Sequence, residues 1–150
     1  MKVLVIDGDR ETRRKVSHFV QQRWLQAQVI NTGEGQRGLR LVKEQAPDLV
    51  LLDMELPDTD SFELLRMVRD ISTTWIVMLT RRDQAAENTR FLEEGADVIV
   101  VKPFSSEMLS ARIQTVLRRT RAYNPSSLSF AMRPMRAGER TSQSDLAAQC

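Results

Sequence analysis

Five short apolar runs alternate with longer amphipathic stretches along this chain. Each run is rich in Val, Ile or Leu and stays largely apolar at successive positions, as strands covered on both faces do. Between the runs, apolar residues recur at helical spacing, as Val16, Phe19 and Val20 do. This alternation predicts an α/β fold in which helices cover both faces of a parallel sheet. The predicted strands are KVLVI (2–6), QVINT (28–32), DLVLLD (48–53), WIVMLT (75–80) and DVIVV (97–101).

Glycine and proline separate the predicted elements. Pro47 ends the second helix and Gly95 closes the fourth. We expect a fifth helix over about 105–121 and a single folded domain over residues 1–121. The segment 122–150 contains prolines, many serines and no sustained apolar period, which predicts a loosely ordered tail. Its 29 residues are too few for a winged-helix effector domain, so we expect none there.

Composition narrows the possible function classes. The chain has 150 residues, 41% of them hydrophobic, which is enough for one compact domain. Its 22 basic and 20 acidic residues are interspersed, so the charge does not indicate a nucleic-acid partner. The single cysteine, Cys150, excludes an internal disulfide and a cysteine metal cluster. No apolar run is long enough to cross a membrane, and we expect a soluble cytoplasmic protein.

Polar residues stand where four of the predicted strands end. Asp7 follows the first strand, Asp53 ends the third, Thr80 ends the fourth and Lys102 follows the fifth. In a doubly wound parallel sheet, ligands bind beyond the carboxyl ends of the strands, where the strand order reverses. If the order is 2-1-3-4-5, the first and third strands lie roughly 4.8 Å apart, and their carboxylates can share one ion. Two acids, a hydroxyl and a lysine suit phosphoryl transfer to a carboxylate beside a hard cation.

Each of these residues also has a purely structural explanation. Asp7 or Asp9 can cap the first helix, and Asp53 can form a turn after its strand. Thr80 can be an ordinary β-branched strand residue, and Lys102 an ordinary solvent-exposed lysine. The presence of all four strand-end side chains at one predicted edge favours the functional interpretation.

Four segments in this order resemble the receiver domain of two-component response regulators: VLVID, PDLVLLDMELPDTDSFELL, IVMLT and GADVIVVKPF. The resemblance covers residues 1–121 and implies a flavodoxin-like fold, a doubly wound five-stranded sheet of order 2-1-3-4-5. It makes Asp53 the residue that accepts phosphate from a sensor histidine kinase or a phosphotransfer protein. It also implies that the Thr80 hydroxyl moves to meet the phosphoryl group, that Lys102 contacts it, and that the bond from Lys102 to Pro103 is cis, which an X-Pro sequence allows at low cost.

The resemblance further implies a Mg²⁺ site formed by Asp7, Asp53 and the backbone carbonyl of Glu55. The family has two consecutive acids after the first strand, and the second of these is Gly8 here. Asp9 lies one residue further on and can replace that acid only if the loop follows a different path. Because the charge of the ligands sets the affinity of a hard-cation site, we expect Mg²⁺ to bind weakly.

Three other positions depart from the family pattern. Ile99 stands in place of the switch aromatic, so the ring rotation that changes the face of the fourth helix, fifth strand and fifth helix is not available. Two copies can still pair through this face, although its charge pattern is only partly retained. Arg81 and Ser61 replace a small residue and a glycine. Arg81 can either hinder a phosphodonor or contact the phosphate itself.

Three functional hypotheses follow from these observations. The first is a receiver that is phosphorylated on Asp53 and signals by protein–protein contact, which is not an enzyme beyond its own phosphoryl transfer. The second is an atypical receiver that binds its partner without phosphorylation. The third is a haloacid dehalogenase-like phosphohydrolase, because VIDGDRET resembles its D-x-D motif, with Asp7 as nucleophile and Asp9 as acid/base. Glu11 and the absence of a late acidic pair count against the third, and we favour the first.

Overall fold

A computed structural model of the chain describes residues 1–81 and 85–123. These residues form a parallel sheet of strand order β2-β1-β3-β4-β5, connected by helices. None of the described helices is both long and apolar enough to span a bilayer. The elements, in chain order, are β1 (Lys2–Ile6), α1 (Arg10–Arg23), β2 (Gln28–Thr32), α2 (Gly35–Gln45), β3 (Leu49–Asp53), α3 (Ser61–Ile71), β4 (Trp75–Arg81), α4 (Ala85–Glu94), β5 (Val98–Lys102) and α5 (Ser106–Tyr123).

The predicted doubly wound sheet and its strand order are confirmed, and the boundaries differ by one or two residues. Asp48 and Asp97 precede their strands, because their side chains accept backbone hydrogen bonds from neighbouring strands. The Asp48 carboxylate accepts from Lys2 N at 2.8 Å, and the Asp97 carboxylate accepts from Ile76 N at 2.8 Å. α5 continues through Tyr123, and the rest of the predicted tail lies outside the described residues.

Two apolar layers, one on each face of the sheet, explain why the strand sequences are continuously apolar. In β1, Val3 and Val5 pack with Val16 and Val20 of α1, while Leu4 lies in the layer on the other face. Successive strand residues therefore alternate between faces, and both faces are buried. The layer on the first face is completed by α5 and the layer on the second by α2, α3 and α4.

A buried ion pair fixes the amino-terminal edge of the sheet, away from the strand ends that carry the polar residues. Arg69 Nη2 lies 2.9 Å from Asp97 Oδ2, with side chains only 6% and 2% exposed. The same guanidinium donates to the carbonyls of Gly95 and Thr74. Gly95 has φ +125°, and a Cβ there would lie 2.8 Å from Arg69 Cγ. The sequence analysis did not single out Arg69, because nothing in a helical pattern tells a buried arginine from an exposed one.

Candidate functional site

The four polar strand-end residues meet at the carboxyl edge of the sheet. Parallel pairing aligns Ile6 with Leu52, which brings the following acids, Asp7 and Asp53, side by side. Lys102 Nζ lies 2.8 Å from Asp7 Oδ2 and 3.3 Å from Asp53 Oδ1, so one ammonium bridges both carboxylates. Both acids are buried, and the lysine side chain is 15% exposed.

Thr80 lies on β4, the strand next to Asp53. Its side chain is fully buried, and among the described residues its hydroxyl has no hydrogen-bond partner. A buried hydroxyl without a partner costs free energy unless something else satisfies it. The site therefore contains an available donor beside two acids and a lysine, a set that can bind a phosphoryl group on a carboxylate.

Asp7 is held in place on every side. Its Oδ1 accepts from Asp9 N at 2.8 Å, its backbone N–H donates to Thr32 O at 3.1 Å, and its carbonyl accepts from Arg13 Nη1 at 2.7 Å. Arg13 can reach this carbonyl because Gly33 leaves room, since a Cβ there would lie 2.7 Å from Arg13 Nη1. The sequence analysis missed the contribution of Arg13, which depends on how α1 packs beside β2.

Asp9 caps α1, as one of the structural explanations proposed. Its Oδ1 accepts from Glu11 N at 3.1 Å and its Oδ2 accepts from Thr12 Oγ1 at 2.8 Å. These hydrogen bonds, the one from Thr12 first, lower the pKa of Asp9 below its usual value. Both carboxylate oxygens therefore serve the helix terminus rather than the space between Asp7 and Asp53.

Burial and charge act together on Asp53. Loss of solvation and the neighbouring Asp7 carboxylate raise the pKa of Asp53 to about 6, and Lys102 partly offsets them. The carboxylate is therefore ionised at neutral pH but is poorly solvated, which is the condition of a nucleophile in a low-dielectric site.

Comparison with known proteins decides the family. Residues 3–114 match the profile of the response regulator receiver domain. This chain belongs to the receiver domain family. It is 42% identical over 102 residues to the transcriptional regulatory protein AfsQ1 of Streptomyces coelicolor, covering 68% of this chain and 45% of that protein. It is 34% identical over 128 residues to the regulatory protein VanRc of Enterococcus gallinarum, covering 85% of this chain and 54% of that protein.

Solved structures agree with this assignment. A two-component response regulator from Clostridium difficile superimposes with a TM-score of 0.75 at 26% identity, over 79% of this chain and 97% of that one. The BeF3-activated receiver domain of Klebsiella pneumoniae RstA superimposes with a TM-score of 0.73 at 29% identity, over 79% of this chain and 99% of that one. The chain spans about half the length of the curated relatives above. The family assignment favours a signalling receiver over the phosphohydrolase.

Receiver domains bind Mg²⁺ beside the phosphorylated aspartate, and Gly8 follows Asp7 at this edge of the sheet. A Cβ at Gly8 would lie 3.6 Å from the carbonyl oxygen of Glu55, the predicted ligand. Among the described residues, no group of three or more His, Cys, Asp or Glu side chains could hold a metal ion. Lys102 already occupies the space between Asp7 and Asp53. Within the described residues, the side-chain carboxylates at this site are those of Asp7 and Asp53.

The loop that carries Glu55 is firmly attached to the rest of the receiver. The Ser61 hydroxyl donates to Met54 O at 2.6 Å. Asp58 accepts from Gly35 N at 2.8 Å and Gln36 N at 3.1 Å, and so caps α2 from a distant loop. Ser61 thus stabilises the loop through a bond that glycine could not make.

A solvent-filled groove opens beside the site. It has a volume of about 470 Å³ and its lining includes Asp9, Thr12, Lys102 and Arg81. Arg81 Nε lies 2.8 Å from Glu55 Oε1, and both side chains are 59% exposed. The bond from Lys102 to Pro103, at the rim of the same groove, is cis. Arg81 and Lys102, the lysine that contacts Asp53, therefore line the same groove.

Replacing Asp53 by Asn should stabilise the receiver by about 2 kcal/mol at pH 7. A neutral amide avoids the free-energy cost of burying a negative charge beside Asp7, which is the cost that raises the pKa of Asp53. The folded state holds the Asp53 proton more tightly than the unfolded state, so the wild-type free energy of unfolding falls as the pH rises from 3.8 to about 6. The increase in the free energy of unfolding of Asp53→Asn over wild type is therefore complete above about pH 6 and disappears by about pH 4.

Urea unfolding at several pH values between these limits measures the gain. Asp70→Asn, an equivalent change at an exposed position of α3, is the matched control for removal of a carboxylate and should not reproduce the gain of Asp53→Asn at pH 7. A constant difference between Asp53→Asn and wild type across the range would contradict the assigned pKa.

Proposed function

We propose that this receiver accepts a phosphoryl group on Asp53 from a sensor histidine kinase or a phosphotransfer protein, and that it signals through contact with another protein. The observation that carries the proposal is the Lys102 ammonium, which lies within 3.3 Å of both buried carboxylates at the mouth of an open groove. The unpartnered Thr80 hydroxyl adds a donor. Residues 1–121 form the receiver unit in this proposal.

The transfer uses groups already present in the site. An oxygen of Asp53 attacks phosphorus, the bond from phosphorus to the histidine nitrogen breaks, and its electron pair returns to the imidazole. Lys102 then exchanges its contact with Asp53 for the new phosphoryl oxygens, and the Thr80 hydroxyl donates to one of them. Asp7, anchored by its own hydrogen bonds, keeps Lys102 in position during the exchange.

Incubation with acetyl phosphate should add one phosphoryl group to the wild type and none to Asp53→Asn, because the buried Asp53 carboxylate beside Lys102 is the proposed acceptor. Intact-mass spectrometry measures the addition. Asp70→Asn should be phosphorylated like the wild type.

Two results would contradict the proposal. Phosphate that persists in Asp53→Asn would place the acceptor elsewhere. A wild type that stays unmodified, with a partner that binds wild type and Asp53→Asn equally, would instead favour the receiver that binds without phosphorylation.

Weak Mg²⁺ binding is part of the same proposal. It is supported by Gly8, which leaves the Glu55 carbonyl without a facing carboxylate, and by the commitment of Asp9 to the α1 cap. Asp7, Asp53 and the Glu55 carbonyl are the ligands that would hold the ion, which would supply positive charge to the phosphoryl oxygens.

Gly8→Asp should raise Mg²⁺ affinity on the order of tenfold, because it restores one carboxylate to the ligand set. Gly8 does not have a positive φ, so a side chain requires only that Pro57 Cδ, 3.3 Å from the new Cβ, shift by a few tenths of an ångström. Isothermal titration calorimetry measures the affinity. Gly8→Asn, of equal size and no charge, should gain much less, and an equal gain in both variants would argue against a charge-controlled site.

We place the output surface on α4, β5 and α5, where two copies can pair. A groove of about 250 Å³ on this face is lined by Val98, Ile99 and Arg119, among others. Within the described residues, Asn88 Oδ1 and Arg119 Nη1 are buried there without hydrogen-bond partners. Because both atoms are shielded from solvent, a partner surface could satisfy them only if these side chains turn outward on pairing.

Sedimentation equilibrium tests the pairing. Treatment with beryllofluoride, which mimics the phosphoryl group, should shift wild type toward dimer, and Arg119→Ala should weaken this dimer on the order of tenfold through the loss of one interface hydrogen bond. Arg14→Ala, on the exposed side of α1, should dimerise like the wild type. A monomeric wild type, or an unaffected Arg119→Ala, would argue against this face.

A further inference from the structure

An ion pair crosses the mouth of the site between residues that the phosphoryl-transfer scheme does not use. Arg81 Nε lies 2.8 Å from Glu55 Oε1. Arg81 directly follows Thr80, and its backbone N–H donates to the sulfur of Met54 at 3.3 Å, the residue next to Asp53. The Arg81 backbone is thus held next to Thr80 in the sequence and against Met54, the neighbour of Asp53.

The ion pair can open at little cost. Both side chains are 59% exposed, and a pair this accessible contributes little to stability because water screens it. The guanidinium can therefore leave Glu55 at little cost, and its side chain lines the same groove as Lys102.

The negative charge of a phosphorylated site would attract the Arg81 guanidinium. Phosphorylation adds negative charge to Asp53, which already lies beside Asp7. Lys102 is one cation for the two acids, and the missing carboxylate at Gly8 leaves a poor ligand set for a divalent ion. Positive charge must come from another group. Lys15 also lines the groove but pairs with Glu11 on α1, whereas Arg81 directly follows Thr80.

We propose that Arg81 leaves Glu55 and binds the phosphoryl oxygens on Asp53, supplying the charge that a divalent cation would otherwise provide. A guanidinium offers planar, paired donors that match phosphoryl oxygens and keeps its charge at any physiological pH. The inference rests on the proposed function of Asp53 as phosphoacceptor. It makes Arg81 a catalytic residue of this receiver and makes phosphorylation largely independent of metal.

The test compares phosphorylation by acetyl phosphate in excess EDTA with phosphorylation in millimolar Mg²⁺, followed by intact mass over time. The wild-type rate should differ by less than about threefold between the two conditions, because weak metal binding adds little charge. In EDTA, Arg81→Ala should be slower on the order of 100-fold, the lower end of the cost of removing one donor to a developing oxyanion. Arg37→Ala, at an exposed position of α2, should match the wild type.

Two further variants separate charge from structure. Glu55→Gln releases Arg81 from its ion pair and should be phosphorylated in EDTA at least as fast as the wild type. The double variant Gly8→Asp/Arg81→Ala should be slow in EDTA and recover in Mg²⁺, because the restored carboxylate lets the ion replace the guanidinium. A misfolded Arg81→Ala protein could not recover in this way, and its thermal unfolding, followed by circular dichroism, should stay close to wild type.

The outcomes distinguish this inference from the function on which it rests. Phosphorylation of wild type that requires Mg²⁺, or that proceeds equally in Arg81→Ala without it, overturns the role of Arg81 and leaves Asp53 as phosphoacceptor. Absence of phosphorylation on Asp53 in every condition overturns both.

Discussion

The contact of one lysine with two buried carboxylates organises this receiver. Lys102 Nζ lies 2.8 Å from Asp7 Oδ2 and 3.3 Å from Asp53 Oδ1, and without it two acids would be buried side by side with no opposite charge. Even with this lysine, burial and the neighbouring Asp7 carboxylate keep the pKa of Asp53 raised to about 6. Placing the two acids together requires β1 and β3 to be neighbours, and placing the lysine above them requires β5 to end on the same edge.

The two edges of the sheet differ in how well their buried polar groups are satisfied. At the amino-terminal edge, Arg69 and Asp97 form a buried pair whose hydrogen-bonding groups have protein partners. At the carboxyl edge, the Thr80 hydroxyl has no partner among the described residues, and the acids outnumber the nearby lysine. Stability is thus concentrated at one edge, while the other keeps the unsatisfied groups that a phosphoryl ligand can use.

The two residues after Asp7 provide no further carboxylate to the site. Gly8 has no side chain, and the carboxylate oxygens of Asp9 cap α1. Lys15, Arg81 and Lys102 are the cations that line the groove beside the site. Ser61 anchors its loop, since its hydroxyl donates to the Met54 carbonyl.

The sequence by itself determined the α/β class, the five strands and the residues at their ends, because burial on both faces makes a strand continuously apolar and polar residues then mark where it stops. The 2-1-3-4-5 order came from the resemblance, and only the tertiary structure brought Asp7, Asp53 and Lys102 within contact distance. The same holds for the Arg13 bond to the Asp7 carbonyl, the Arg69 pair and the Arg81 contact with Glu55. Each joins residues from different elements, and an arginine in a helical or strand pattern carries no local signal of the partner that packing will give it.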